Sequence, residues 1–200
     1  AERLFLDDEE VKNSPKQMFG EYGAGDIKYK DQNGDGIIDN NDKKAFGYTQ
    51  SPEWSFGLHG GFNYKGFDLD IMFHGVANRT VYWEGKRFQA FQNSGKISEV
   101  ALKRWTPETA ETATYPRLST DGNQNNYQYS TFWQKNGNFL KLRNLEFGYT
   151  LPERLTNKIK LEKLRVFANA TNLFSLDHMK GQVDPETLYG HPAIRTFSLG

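Results

Sequence analysis

The stretch WSFGLHGGFNYKGFDLDIMF, residues 54–73, decides the fold class through its alternation. From Trp54 onward, apolar side chains hold every second position, with Gly60 among them, and polar or small residues hold the others. Lys65-Gly66 then forms a tight turn, and a second alternating run follows it. A period of two on both sides of such a turn predicts a β-hairpin with one apolar and one polar face.

Two folds accommodate such a hairpin, and the alternation alone leaves both open. Each run has about the 9–11 residues that a tilted transmembrane strand needs. In a water-soluble β-sandwich the apolar face turns inward, whereas in a transmembrane barrel it meets lipid and the polar face lines a wet lumen. Aromatic residues near the strand ends match the girdles of a membrane protein and favour the barrel: Trp54, Tyr64, Tyr82 and Trp83.

Further alternating stretches predict more strands at 131–151, 161–174 and 195–200. Leu140 and Leu142 break the phase of the first of these stretches. Because an extra residue in one strand reverses its alternation, the break indicates a β-bulge, or else a strand end above the membrane.

The connections between the predicted strands alternate in length. Those at Lys65-Gly66 and 152–160 are short, whereas those at 84–130 and 175–194 are long. Outer-membrane barrels have short periplasmic turns and long extracellular loops, and a sandwich does not require this asymmetry. The connections therefore favour the barrel.

The composition excludes several classes of function. The 25 basic and 25 acidic residues balance, so no global field points to nucleic acid, and no nucleic-acid partner is expected. The absence of cysteine excludes disulfides, thiolate metal sites and a cysteine nucleophile. The sequence contains no run of about 18 apolar residues, so it predicts no transmembrane helix. The start lacks a signal-peptide pattern and the last strand stops in mid-pattern, so we expect a chain cut at both ends.

The segment DQNGDGIIDNND, residues 31–42, predicts a cation loop. Acidic or amide oxygens stand at positions 1, 3, 5, 9 and 12, and glycine at position 6 allows the sharp turn of a calcium loop. Position 12 is aspartate where the common loop has glutamate, as in dockerin-like loops. The expected ion is structural Ca²⁺, with Mg²⁺ left open. The predicted ligands are Asp31, Asn33, Asp35, Asp39, Asp42 and the backbone carbonyl of Ile37.

The alternative interpretation of this segment is a simple chain reversal. Asn-Gly and Asp-Gly pairs form turns without any ion, which accounts for the glycines. A reversal does not account for the acids at positions 1, 5, 9 and 12. The spacing therefore favours the cation loop.

The sequence does not predict an enzyme, because it has no nucleophile elbow, phosphate loop or His-Glu-x-x-His motif. Asp68 and Asp70 share the polar face of the hairpin with His59 and His74, where a wet wall is the favoured interpretation. Five aromatic residues of the long loops are of the type that stacks on sugar rings, although loop packing is favoured for each: Trp83, Trp105, Tyr127, Tyr129 and Trp133.

The chain resembles the C-terminal part of a SusC/RagA-type TonB-dependent outer-membrane transporter. Five motifs in order carry the resemblance and cover nearly the whole chain apart from 84–130: GDIKYKDQNGDGIID at 25–39, YKGFDL at 64–69, NFLKLRNLEFGYTLP at 138–152, LRVFANATNLF at 164–174 and RTFSLG at 195–200. The resemblance implies an all-β fold in which 54–200 supply about five C-terminal strands of an antiparallel transmembrane barrel of about 22 strands. It also implies extracellular loops at 84–130 and 175–194, and an extracellular loop region at 1–53 that holds the cation loop.

The resemblance further implies a location and partners. The location is the outer membrane of a Gram-negative cell, with lipid around the barrel. The partners are a SusD-type surface lipoprotein that acts as a lid, an oligosaccharide or peptide ligand, TonB through an N-terminal part that this chain lacks, and a second transporter–lid pair in a dimer. A calcium ion at 31–42 would then pin a long polar loop. The alternative is a soluble, calcium-dependent glycan-binding β-sandwich, which would keep both the alternation and the cation loop.

Overall fold

The computed structural model describes the backbone of residues 1–200 and every side chain except that of Asn93. Its strands are β1 (Arg3–Leu4), β2 (Lys16–Gln17), β3 (Ile27–Lys28), β4 (Ile37–Ile38), β5 (Trp54–Tyr64), β6 (Phe67–Ala77), β7 (Thr80–Tyr82), β8 (Gln134–Asn136), β9 (Phe139–Thr150), β10 (Arg165–Asp177) and β11 (Thr196–Leu199). Its helices are α1 (Asp8–Asn13), α2 (Glu153–Thr156) and short 3-10 turns at Asn40–Asp42, Gln92–Ser94, Glu99–Lys103, Pro107–Thr109 and Asn157–Ile159.

One large antiparallel sheet in the described chain has the order β11-β10-β9-β6-β5, so each strand lies beside the next one along the chain. The alternating stretches of the sequence are the strands of this sheet, and the predicted all-β fold of barrel strands is confirmed. The bounds of two predicted strands, 131–151 and 161–174, are wrong. The stretch 131–151 divides into β8 and β9, and the fourth strand starts at Arg165 and runs on to Asp177.

Arg143 forms the β-bulge that the break in phase indicated. Where β9 pairs with β6, the register passes from Asn144 directly to Leu142, which leaves Arg143 as the extra residue. One extra residue reverses the alternation, so Leu140 and Leu142 return to the face that Leu145 occupies.

The apolar face of the large sheet is open. Trp54 is 66% exposed, Phe62 60% and Phe147 50%. The other sheets of the described chain have two strands each. A soluble sandwich would bury this face against a second sheet of similar size, so the exposure argues against the sandwich, whereas strands that face lipid account for it.

Residues 1–46 and 82–135 form a compact unit of their own. It contains the antiparallel pair β1–β3 and the parallel pair β2–β4. Both segments contribute to its core, which consists of Leu4, Ile27, Tyr29, Ile38, Ala101, Tyr115 and Trp133. Two segments far apart in the sequence thus make a core together, which neither segment indicates by itself.

The second unit, residues 47–81 and 136–200, contains the large sheet. The predicted division into a loop region at 1–53 and barrel strands at 54–200 stays a prediction, because compactness does not report a position in a membrane. Among the described residues, no helix combines the length and the apolar character that crossing a membrane would take.

Candidate functional site

The loop at 31–42 is curled by its own side chains. The two carboxylate oxygens of Asp31 accept hydrogen bonds from the backbone N–H groups of Gly34 at 2.6 Å and Gly36 at 2.9 Å. Gly34 and Gly36 have φ values of 78° and 82°, in the left-handed region that glycine adopts without strain. Aspartate and the two glycines together impose the curvature that the sequence predicted.

Asp42 ties the two ends of the loop together. Its carboxylate accepts hydrogen bonds from the backbone N–H groups of Gln32 at 2.6 Å and Asp39 at 2.8 Å. These two hydrogen bonds stabilise the anion and hold the pKa of Asp42 below its ordinary value. Asp39 in turn accepts the N–H of Asn41 and caps the 3-10 turn. The loop is thus closed before any ion is considered.

An apolar residue anchors this polar ring to the core of its unit. Ile38 in β4 is 1% exposed, whereas the neighbouring Ile37 is half exposed. The carbonyl of Ile38 accepts the N–H of Met18 at 2.9 Å, next to the parallel pairing of β4 with β2. The exit of the loop is therefore fixed by packing.

The structure places the six predicted ligands on one curved loop without gathering their carboxylates. Among the described residues, no group of three or more histidine, aspartate or glutamate side chains is arranged to hold a metal ion. Asp35 accepts the N–H of Ile37, and Asn33 donates to Asp35, both at 2.9 Å. A carboxylate oxygen keeps a second lone pair when it accepts one hydrogen bond, and such oxygens are the donors that Ca²⁺ takes. The donor set fits a hard cation, and the calcium site stays a prediction.

A buried carboxylate that the sequence analysis missed organises the same unit. Asp26 is fully buried. It accepts hydrogen bonds from the guanidinium of Arg117 at 2.8 Å and from the side-chain amides of Asn123 at 2.9 Å and Asn126 at 2.8 Å. A buried charge is stable only when such donors surround it. The signal that could have found these donors is the asparagine-rich run NQNN at 123–126.

Gln17 connects this network to the base of the cation loop. Its side-chain amide is buried and donates to the carbonyl of Ile27 at 3.0 Å and to the Oδ1 of Asn125 at 2.7 Å. Its Oε1 accepts the N–H of Tyr29 at 2.6 Å. Because Gln17 lies in β2, which pairs with β4, the order of the loop depends on residues about 100 positions away in the chain.

Paired charges line the polar face of the large sheet. Arg165 contacts Asp68 and donates to Glu146 at 2.6 Å. His59 lies 2.6 Å from Asp70, and solvent reaches both side chains. Asp68 and Asp70 thus have separate basic partners and do not act as a carboxylate pair. These contacts are those of a solvated polar wall.

A second cluster of charges holds the segment 178–194 against the polar face. The ammonium of Lys141 donates to Asp184 at 2.7 and 2.8 Å, and the bulge residue Arg143 donates to Glu186 at 2.7 Å. Burial opposes the ionisation of Asp184, but the hydrogen bonds from Lys141 and the backbone outweigh it and keep the pKa of Asp184 below its ordinary value. The bulge therefore aims a charged side chain at this segment.

The aromatic residues of the long loops are mostly packed. Trp133 is 4% exposed, and its indole N–H donates to the carbonyl of Asn126 at 2.6 Å. Trp83, Trp105 and Tyr127 are partly buried. Tyr129 is 69% exposed, and its hydroxyl donates to Glu84. Loop packing is thus confirmed for Trp133, which has no open ring face for a sugar.

The chain is similar to known proteins along most of its length. No family model matches it. Two proteins of Formosa agariphila match: TonB-dependent receptor P3, 26% identical over 208 residues or 92% of this chain, and TonB-dependent receptor P26, 30% identical over 180 residues or 88% of this chain. The matches cover 19% and 18% of these relatives, so the chain spans about a fifth of their length.

Solved structures agree with this similarity. The RagAB peptide importer in the "open-open" state matches with a TM-score of 0.52 and 28% identity, over 70% of this chain and 15% of that chain. The "closed-closed" state of the RagAB peptide importer matches with a TM-score of 0.61 over 84% of this chain and 19% of that chain. At 23% identity, this second match shows the fold alone.

Proposed function

We propose that this chain, a segment of a SusC/RagA-type TonB-dependent transporter, forms part of the wall and surface loops of an importer for oligosaccharides or peptides. The strands within 54–200 cross the outer membrane of a Gram-negative cell. The segments 1–53, 84–130 and 175–194 lie on the extracellular side. Peptide import is supported by the likeness to a RagAB peptide importer at 28% identity, and oligosaccharide import by the family resemblance.

One observation carries the membrane part of this proposal. The apolar face of the large sheet is exposed, and the charged side chains on its polar face form ion pairs. Leu58 and Phe62 are 66% and 60% exposed on the apolar face. On the opposite face, Asp68 and Glu146 share Arg165. Lipid against the first face and water against the second lower the free energy of both, whereas a soluble protein would need the reverse.

The proposed partners follow from the same family. A SusD-type lipoprotein closes the extracellular side as a lid, TonB supplies the energy through a part of the transporter outside this chain, and two transporter–lid pairs form a dimer. The likeness to RagAB assemblies supports the transporter–lipoprotein pair. The lid would meet the unit that carries the cation loop.

The loop at 31–42 binds Ca²⁺ in a structural role within this proposal. The support is the oxygen donor set, the closed curvature imposed by Asp31 and Asp42, and the anchoring of Ile38 in the core. Mg²⁺ demands a more regular geometry at shorter distances, which a loop of flexible acidic side chains supplies less readily. The ion would hold the exposed part of the loop, because the base of the loop is already held by packing.

The proposal is tested with the full-length transporter carrying an affinity tag in its own host. We expect it to fractionate with the outer membrane and to retain an equimolar surface lipoprotein in detergent. Mass spectrometry of the purified complex identifies the bound oligosaccharide or peptide. Uptake of that ligand is expected to stop when TonB is disrupted.

The controls separate import from simple binding. A strain without the lipoprotein shows whether the lid is needed for uptake. If the protein stays soluble and binds glycans only in the presence of calcium, the proposal is overturned in favour of the soluble glycan-binding β-sandwich. Uptake that continues without TonB would overturn the transport mechanism.

A further inference from the structure

Gly60 opens a notch in the apolar face of the large sheet. The notch has a volume of about 350 Å³ and lies over the two strands of the first hairpin. Gly60 forms its floor and pairs with Ile71 across β5 and β6. The walls are the apolar side chains of Leu58, Phe62, Leu69, Ile71 and Phe73.

Neither the backbone nor the packing of this chain requires glycine at position 60. A Cβ atom built on Gly60 would meet no heavy atom within 4 Å. At Gly75, on the same face, a Cβ atom would lie 2.5 Å from the ring of Phe56, which is its cross-strand partner. The bare backbone of Gly75 is thus covered by a ring of the chain itself, whereas that of Gly60 is open. A glycine inside a strand often marks a place where a ligand approaches closely.

We propose that the notch at Gly60 binds one acyl chain of a phospholipid from the membrane leaflet on the side of the Lys65-Gly66 turn. This inference rests on the proposed function, because it requires β5 and β6 to span the membrane. It goes beyond general contact with lipid, since it assigns a fixed position to one acyl chain and its head group.

The turn supplies the contact for the head group. Lys65 is exposed, and its ammonium lies 5.1 Å from the centre of the Tyr64 ring at the end of β5. A tyrosine at a membrane interface sits at the level of the lipid head groups, so Lys65 presents a positive charge to the lipid phosphate there. The negative charge of a phospholipid therefore complements this end of the hairpin.

The distance along the strand fits the length of one leaflet. Tyr64 and Gly60 are four residues apart, which corresponds to about 13 Å in a strand. Half of a hydrocarbon core of about 30 Å is about 15 Å. Because the strand tilts by about 35–45°, Gly60 lies about 10 Å below Tyr64 along the membrane normal, so a lipid with its phosphate at Lys65 passes Gly60 with the distal half of its acyl chain.

The shape of the notch favours an acyl chain over a side chain from the strand beyond β5. The notch extends from Gly60 to Leu69 and Phe73 of β6, so its occupant lies over two strands. Strands of such barrels tilt by about 35–45°, so an acyl chain along the membrane normal crosses β5 and β6 obliquely. A side chain from the neighbouring strand would approach only from the β5 side.

The test uses the full-length transporter in nanodiscs of phosphatidylethanolamine and phosphatidylglycerol. Electron cryo-microscopy is expected to show acyl-chain density between Leu58 and Phe62 that continues to a head group at Lys65. Gly60→Leu fills the notch and removes this density, and native mass spectrometry counts one retained lipid fewer per transporter. Gly57→Leu, on the polar face of the same strand, is the matched control and retains the lipid.

A second variant keeps the test decisive if Gly60→Leu does not assemble. Lys65 has a φ of 48°, a conformation that asparagine tolerates, so Lys65→Asn preserves the turn and is expected to lower the retention of phosphatidylglycerol. Unchanged retention, a notch filled by a side chain of the neighbouring strand, or an empty notch beside ordered lipids elsewhere would each overturn the lipid site. A transporter that does not enter the membrane at all would instead overturn the proposed function.

Discussion

At the scale of one residue, we expect Asp26 to stabilise the compact unit formed by residues 1–46 and 82–135. Its carboxylate is fully buried and receives donors from Arg117, Asn123 and Asn126. Asp26→Asn keeps the shape of the side chain but removes the charge and replaces one acceptor with a donor. Because Arg117 is partly open to water, we expect a loss of stability of about 2–3 kcal/mol, which is less than the cost of about 3–5 kcal/mol for breaking a fully buried ion pair.

Hydrogen exchange of the full-length transporter measures this loss at the amides of Ile27 and Lys28 in β3. Global unfolding is a poor readout, because a local unit can open while the strands of a barrel stay closed. Asp121→Asn is the control, since Asp121 is an exposed aspartate near the same asparagine-rich run. Equal protection of β3 in the two variants would contradict the role assigned to Asp26.

Single residues also show where prediction from sequence stops. The spacing of the acids in 31–42 is local, so the curled loop could be predicted from twelve consecutive residues. The side-chain partners of Asp26 lie 91 to 100 positions away, and no local period connects them. The partners of a buried polar residue are set by tertiary packing, and one sequence does not contain that information in readable form.

The cation loop at 31–42 and the residues that lead into it, 26–30, should respond differently to the loss of calcium. Asp31→Ala combined with Asp35→Ala removes two predicted ligands and the N–H acceptors that curl the loop. We expect the purified transporter to lose its bound calcium and the amides of 31–42 to exchange at least about tenfold faster. Residues 26–30 should stay protected, because Ile27 and Tyr29 are held in the core.

Elemental analysis and hydrogen exchange check this prediction on the same sample. Asp8→Ala, at an exposed position in the first turn of α1, is the matched control. If the calcium content is the same in the wild type and the double variant, the loop is a simple chain reversal, because the loss of the Asp31 and Asp35 acceptors speeds exchange whether or not an ion is bound. If amide exchange becomes faster in residues 26–30 as well as in 31–42, the ion, and not the core, holds residues 26–30 in place.

The segment 178–194 is held by a charge cluster that should fail in acid. The pKa of Asp184 is lower in the folded protein than its ordinary value of about 3.9. A lowered pKa means that the stabilisation is fully present above the ordinary value and is lost as the pH falls through the lower folded value. We therefore expect the amide of Ala193, which donates to Asp184 at 3.2 Å, to lose protection below about pH 4.

Asp184→Asn should produce the same loss of protection at neutral pH, because it removes the charge that pairs with Lys141. Asp177→Asn is a suitable comparison, since Asp177 lies at the end of β10 and contacts Ser175 rather than a lysine. A protection profile of Ala193 that is flat from neutral pH to about pH 3 would contradict the role assigned to this charge cluster.

The strands were largely predictable because each of them records its two faces in a period of two. The bulge at Arg143 was predictable for the same reason, since the alternation fails where one residue is added. The start of the fourth strand was predicted wrongly because Leu164 continues the alternation of Val166 and Ala168, although it lies before Arg165. The period of two does not distinguish an apolar residue just before a strand from one within the strand.

At the scale of the whole chain, the large sheet followed from the sequence but the compact unit did not. The segments 1–46 and 82–135 contain no long alternating run of apolar residues, so each by itself predicts a loop. Leu4 and Ile27 come from the first segment, and Tyr115 and Trp133 from the second, so the core exists only when both are present. The proposed role of calcium narrows accordingly, from pinning a long polar loop to holding the exposed part of that loop.

The orientation of the large sheet gives the sharpest test of the membrane assignment, because neighbouring residues lie on opposite faces. Leu58 is on the exposed apolar face, and His59 is on the polar face beside Asp70. Leu58→Lys in the full-length transporter places a charge in lipid, which costs about 2–4 kcal/mol near the middle of a membrane. His59→Lys places the same charge in a wet lumen, where Asp70 pairs with it.

We therefore expect Leu58→Lys to lower the amount of folded transporter in the outer membrane several-fold and His59→Lys to leave it close to the wild-type level. Quantitative immunoblotting of outer-membrane fractions measures both variants in parallel, and Leu58→Ala separates the loss of an apolar side chain from the gain of a charge. In a soluble fold with its apolar face turned inward, both substitutions at Leu58 would disrupt the core. Only a face in contact with lipid tolerates alanine and rejects lysine, so the difference between these two variants decides which solvent the apolar face of the sheet meets.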